Sequence, residues 1–183
     1  VSIRSGRNWL PRGLRLVVHR CGTQCYYKEW NPQHASLTFL RDELPGGLYQ
    51  ILLLSPTGEA YSERLVFNRR DEEAEVTMRQ EGTLRQRSKV TLHFEVRDTK
   101  RRPAQGDFAV AVTDRKAAAP VATAGIYSTL MLSSELRGVI EDPDWYFAPD
   151  NAQGDEGLDE LLLTQGWRRY DVPKLLRDEY KEP

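Results

Sequence analysis

The first half of the chain alternates apolar and polar residues in short runs broken by turn signals. Leu14–Arg20 places Leu14, Leu16 and Val18 on one face, and Cys25–Trp30 reads as the return strand. Ser36–Leu40 is a short run with Leu37 and Phe39 together. Leu48–Leu54 is apolar on both faces, which predicts an inner strand, and Tyr61–Asn68 closes the set. Leu44-Pro45-Gly46-Gly47 and Ser55-Pro56-Thr57-Gly58 supply turns, with proline suited to a first central turn position. Arg69–Glu73 is dense in charge, has nothing to bury, and predicts a domain border.

Beyond that border the pattern resumes with Ala74–Met78. Val90–Arg97 alternates strictly: Val90, Leu92, Phe94 and Val96 against Thr91, His93, Glu95 and Arg97. This predicts a buried face and a wet face. Asp98–Pro103 reads as a basic turn, and Asp107–Thr113 repeats the alternation with Phe108, Val110 and Val112 inward. Arg115–Gly125 is alanine-rich and reads as a loop. The periodicity then turns helical. Ser128–Leu136 ends near Gly138; Leu158, Leu161 and Leu162 share a helix face that stops at Gly166; and Pro173 suits the first turn of a last helix to Tyr180.

The fold class is therefore mainly β: two β-sandwich units in tandem and a short, largely helical tail. The expected units are 1–70, 71–125 and 126–183. The tail is expected to fold back on the second unit and bury Trp167, because a short helix needs a packing partner.

Composition narrows the function. The 183 residues carry 26 basic and 27 acidic side chains, a formal net charge of −1, with 39% hydrophobic residues. That balance offers no bulk attraction to nucleic acid or anionic lipid. No apolar run is long enough to span a membrane. The chain starts at Val1 with four arginines by Arg15 and no apolar leader, as expected of a mature chain or an excised fragment.

Residues able to do chemistry are sparse. His19, His34 and His93 are far apart, and His19 and His93 fall at outward strand positions. Asp142 and Asp144 flank Pro143, which reads as a turn. Glu63 and Arg64 read as ordinary strand charges, and Lys100-Arg101-Arg102 as a solvated hairpin tip. No catalytic, metal or cofactor site is expected. Two alternatives stay open for Cys21 and Cys25: a cross-hairpin disulfide, favoured in an oxidising compartment, or two free thiols. Trp145-Tyr146-Phe147 reads as a hydrophobic clamp for the tail or as a sugar-stacking platform. Trp145, Tyr146, Trp167 and Arg168 are the candidate binding surface.

Several blocks carry a family resemblance. They are Leu44-Pro45-Gly46-Gly47-Leu48-Tyr49-Gln50-Ile51, Ser62–Phe67, Lys89–Leu92, Phe108–Asp114, Leu130–Gly138 and Leu162–Tyr170 (LLTQGWRRY). Together and in order they resemble the macroglobulin-like (immunoglobulin-like) region of large Bacteroidetes cell-envelope proteins related to TonB-dependent receptors and their plug domains. The resemblance implies a periplasmic or outer-membrane location. It also implies a non-catalytic structural or partner-binding role, the partners being neighbouring domains of the parent or another envelope protein. Carbohydrate or peptide binding through exposed aromatics is the alternative. Cys21-Gly22-Thr23-Gln24 departs from the Cys-Gly-Glu-Gln thioester of macroglobulins in its third residue and sits on a hairpin, so no thioester is expected.

Overall fold

The computed structural model describes residues 12–31, 36–70, 74–107, 109–110, 112, 124–165, 171 and 174. These form two antiparallel sheets with six strands, and a few short helices near the C-terminus. The chain divides into two compact units: Val1–Arg70 with Ala122–Pro183, and Asp71–Val121.

In the first unit, β1 (Arg15–Arg20), β2 (Thr23–Glu29), β3 (Gly47–Leu54) and β4 (Ala60–Asn68) form one sheet in the order β2-β1-β3-β4. β1 and β3 are the inner strands. That position explains why their residues are apolar in both phases of the alternation. Opposite pairs such as Val17↔Leu52 and Leu16↔Leu53 fix the register. On one face Leu14, Leu16, Trp30 and Leu53 pack together with Tyr26, Leu37 and Ile51. Ser36–Leu40 forms no strand. Leu37 still reaches this cluster, and Phe39 meets the Tyr26 ring edge-on at 5.1 Å. The expected alternation survives there without a sheet ladder.

On the other face, the tail closes the end that carries Leu48 and Leu65. α1 (Ile126–Met131) leads into a 3-10 turn at Ser133–Glu135; a second such turn spans Pro143–Phe147, and α2 runs Gly154–Thr164. Leu132, Leu136, Leu158 and Leu162 are buried against Leu48 and Leu65, with Phe67, Ile140, Tyr146, Phe147 and Leu161 around them. Leu158, Leu161 and Leu162 thus face inward as their helical spacing requires. Their partner, however, is the first sheet rather than the second unit. The physical reason lies in β3 and β4: Leu48, Leu65 and Phe67 form an apolar end that needs a cover. The expected single helix over Ser128–Leu136 is also broken, at Leu132 (φ −127, ψ −65), which turns that side chain into the core. Trp167, Gly166 and all but one residue of Pro173–Tyr180 lie outside the described residues.

In the second unit, β5 (Glu75–Glu81) and β6 (Thr91–Arg97) pair antiparallel, with Val76↔Val96 and Met78↔Phe94 opposite each other. Asp98 organises the turn that follows, accepting bonds from the Lys100 and Arg102 amides at 2.9 and 2.8 Å and from Arg102 Nε at 2.8 Å. Those Arg102 bonds hold the Asp98 carboxyl below the usual carboxylate range. The chain then touches β6 again through one bridge, Arg97↔Pro103, and an Ala104 amide bond to the Val96 carbonyl at 2.9 Å. Of the expected strand Asp107–Thr113, the described residues Asp107, Ala109, Val110 and Val112 lie outside any strand, with Val110 and Val112 62% and 84% exposed, while Ala111 and Thr113 lie outside the described residues. Pro103, with no N–H to donate, begins the returning chain poorly for a ladder. Phe108 lies outside the described residues.

Among the described residues, no helix is long and apolar enough to cross a membrane.

Candidate functional site

The polar side chains of the first unit form local struts. His19, expected to point outward, is 5% exposed. It sits on an inner strand whose two faces are both covered, so neither phase of the alternation leads to water. Its Nε2 lies 2.8 Å from Gln50 Oε1, and Gln50 Nε2 donates to Glu63 Oε2 at 2.7 Å. Since the Gln50 amide group serves Glu63, its oxygen is left to accept, which assigns the His19 proton to Nε2. This line crosses β1, β3 and β4 on the sheet face that carries Leu48 and Leu52. Burial pulls the His19 pKa below its ordinary value, against the opposing pull of Gln50 and the Glu135 carboxylate. His19 is thus held neutral. His34 lies outside the described residues.

Cys21 and Cys25 are both free thiols in exposed residues. Cys21 occupies the β1–β2 turn with a left-handed backbone (φ 50), while Cys25 lies on β2 and directs its thiol to the Thr23 carbonyl at 3.5 Å. Burial first, and then the neighbouring Glu135 carboxylate, push the Cys21 thiol up. A raised thiol is a poor nucleophile at neutral pH.

Asp142 and Asp144 form the expected turn, and it has a second purpose. Asp142 is left-handed (φ 41). The Asp144 carboxylate receives the Gly125 amide at 2.9 Å on each oxygen and also the Ser128 hydroxyl, which fixes the start of α1. Among the described residues, no group of three or more His, Cys, Asp or Glu side chains is placed to hold a metal ion.

The aromatic block works as a clamp. Phe147 packs on Phe67 of β4 at 5.4 Å and takes the Tyr127 ring edge-on at 5.1 Å. Arg69 lies over Phe147 at 5.3 Å and donates to the Tyr146 carbonyl at 2.6 Å. Trp145 meets Tyr146 at 87° and covers Gly157 so closely that a Cβ there would stand 2.7 Å from the indole. Trp145 remains 40% exposed. The clamp closes on the first sheet, where the sequence anticipated the second. Trp167 and Arg168, the other candidate surface residues, lie outside the described residues.

Charged pairs that the sequence does not announce join the tail to β4. Arg64 grips both oxygens of Asp159 at 2.8 and 2.9 Å, and Arg69 Nε pairs with Asp155 at 2.6 Å. Glu63 and Arg64, read as ordinary strand charges, are thus a strut end and a tail anchor. No sequence signal could pair Arg64 with a residue 95 positions away.

The hairpin of the second unit differs. Val76, Met78, Leu92 and Phe94 fall on one face and are 60%, 61%, 37% and 48% exposed. Val90 and Val96 are only half-buried. The expected phase of the alternation is present, but the expected burial is not. Two strands cannot bury a face by themselves.

Comparisons with protein-family models, with curated proteins and with solved structures find no match to this chain.

Proposed function

We propose that this chain is a non-catalytic module of a larger cell-envelope protein, in which the hairpin face receives a β-sheet of a neighbouring immunoglobulin-like domain. The observation that carries the reading is the contiguous apolar face of Val76, Met78, Leu92 and Phe94. Faces of this kind mark interaction surfaces. Sheets that pack face to face interdigitate such rows about 10 Å apart. The envelope setting and the macroglobulin-like sandwich architecture rest on the resemblance of Leu130–Gly138 and Leu162–Tyr170 to the envelope family. The charged and polar side chains of the first unit support a structural role, since His19, Asp144, Arg64 and Arg69 are each engaged in holding the fold.

Hydrogen exchange tests the reading. In a longer stretch of the parent protein, β5 and β6 amides should exchange more slowly than in this chain alone, and Met78→Asp should reverse the gain. Equal exchange in both contexts would sink it.

A second reading has one observation behind it, the partial exposure of Trp145. Carbohydrate or peptide binding there requires saturable quenching of tryptophan fluorescence that Trp145→Ala removes.

A further inference from the structure

The hairpin of the second unit has an open edge as well as a bare face. β5 pairs with β6 along one side, and among the described residues nothing pairs with its other side. All seven residues of β5 are exposed. The outer edge of β6 differs, because the Arg97↔Pro103 bridge and the Ala104 amide occupy its end. That contact also fixes which backbone groups of β5 are open. The Val96 carbonyl accepts from the Ala104 amide at 2.9 Å, so it points away from β5. In an antiparallel ladder the amide and carbonyl of one residue point to the same side, and the residue opposite turns both of its own the other way. Val76 stands opposite Val96, so the amides and carbonyls of Val76, Met78 and Gln80 point outward from the hairpin. β5 lacks the backbone guards of such an edge: EVTMRQE holds no proline or glycine, and its register with β6 is unbroken.

We propose that this edge of β5 pairs with the same edge of a second copy of the chain, antiparallel about a two-fold axis through Thr77. The charges select that register. Glu75 of each copy stands opposite Arg79 of the other, Val76 opposite Met78, and Thr77 opposite Thr77. Opposite charges, apolar pairs and Thr–Thr pairs directly across a ladder are each favourable, and like charges there are destabilising. Centring the pair on Met78 sets Glu75 against Glu81 twice, and centring it on Arg79 sets arginine against arginine. Centring on Val76 or Gln80 shortens the ladder to the central residue and one neighbour on each side. The Thr77 register also uses the outward backbone groups, since Val76 of one copy and Met78 of the other exchange both of their bonds, and symmetry repeats the exchange. Glu75 makes no side-chain ion pair or hydrogen bond among the described residues, and the pair that Arg79 makes with Glu81 is well exposed and costs little to rearrange. Pairing turns two hairpins, each short of the three strands that independent stability needs, into one four-stranded sheet. Its apolar face stays open to the neighbouring domain proposed above, because Glu75, Thr77 and Arg79 alternate onto the face opposite Val76 and Met78.

Sedimentation equilibrium and hydrogen exchange of the full chain test this. The contact is at the small end of specific interfaces, so the mass of the wild-type chain should rise toward that of a dimer between about 10 µM and about 1 mM. Over the same range the Val76 and Met78 amides should come to exchange roughly fivefold more slowly. Glu75→Arg and Arg79→Glu should each abolish association, because the facing positions then carry like charges. An equal mixture of the two variants should restore it, because every facing pair is again opposite in sign. The proposal is overturned by a wild-type chain that stays monomeric to about 1 mM, or by Val76 and Met78 exchange that does not depend on concentration. Single variants that associate as the wild type does also overturn it and place the contact elsewhere. So does a mixture that stays monomeric while the β6 amide shifts of both variants show an intact hairpin; if either variant loses those shifts, the wild-type exchange decides. The outcome is independent of the neighbouring-domain reading, which concerns the apolar face and is tested in a longer stretch of the parent protein.

Discussion

β3 and β6 are both rich in large apolar residues, yet Leu48, Leu52 and Leu54 of β3 are buried while Leu92 and Phe94 of β6 stand in solvent. The strands differ in company rather than in composition. β3 has a strand on either side, the Trp30 cluster on one face and the tail leucines on the other. β6 is paired along its length with β5 alone. Alternation in a sequence decides which side chains share a face. A second layer decides whether that face is dry.

The largest expected effect tests this difference directly. Leu132→Ala removes a fully buried side chain from the seam between tail and sheet, and should cost about 2 to 5 kcal/mol. Phe94→Ala takes away a larger side chain, but one already half in water, and should cost about 1 kcal/mol or less. Urea unfolding of both variants gives the comparison. Equal losses would mean that the hairpin face is covered in solution and that the contrast between the sheets is false.

A second pair of substitutions sharpens the contrast for charges. Arg69→Ala loses the Asp155 pair, the Tyr146 carbonyl bond and the Phe147 stacking together, and should cost about 1 to 2 kcal/mol. Asp155 is itself well exposed, so most of that loss belongs to the carbonyl bond and the ring. Arg79→Ala on the hairpin loses a pair with Glu81 in which both side chains are solvated, and should cost less than about 0.5 kcal/mol. If Arg79→Ala proves the more damaging in thermal melts, the tail is not anchored as described.

These residues also show what was legible in the chain. The turn at Ser55–Gly58, the shared face of Leu14, Leu16 and Val18, the two-sided apolar character of β3, the shared face of Leu92 and Phe94, and the inward face of α2 all follow from local spacing, because the side-chain period is a property of the element itself. What covers each face depends on contacts distant in sequence. Nothing near Leu158 says that Leu48 lies beneath it, and nothing near Arg64 names Asp159. The aromatic block was legible as a clamp, since its rings are large and clustered, but the sheet it clamps was not.

The smallest expected effect asks whether burial in the first unit extends to its polar groups. His19 was assigned to the wet side by alternation, yet it lies between covered faces and its pKa is lowered by burial. The unfolded chain therefore binds a proton at His19 more readily than the folded one. Above the ordinary histidine value of about 6.5, both states are neutral there and the group has no influence. As pH falls below that value, the unfolded state protonates first and stability drops, until the lowered folded pKa is passed and the two states again match. Protonation would also place a cation on Nδ1 and Nε2, while Gln50 is already oriented by Glu63 to accept only from Nε2. Stability measured by urea unfolding at a series of pH values should fall on acidification in this window, and His19→Gln, which cannot titrate, should flatten that part of the curve. An identical slope in the variant would mean that His19 is solvated in the folded protein, and that the inner strand β1 is open on the face now assigned to the tail.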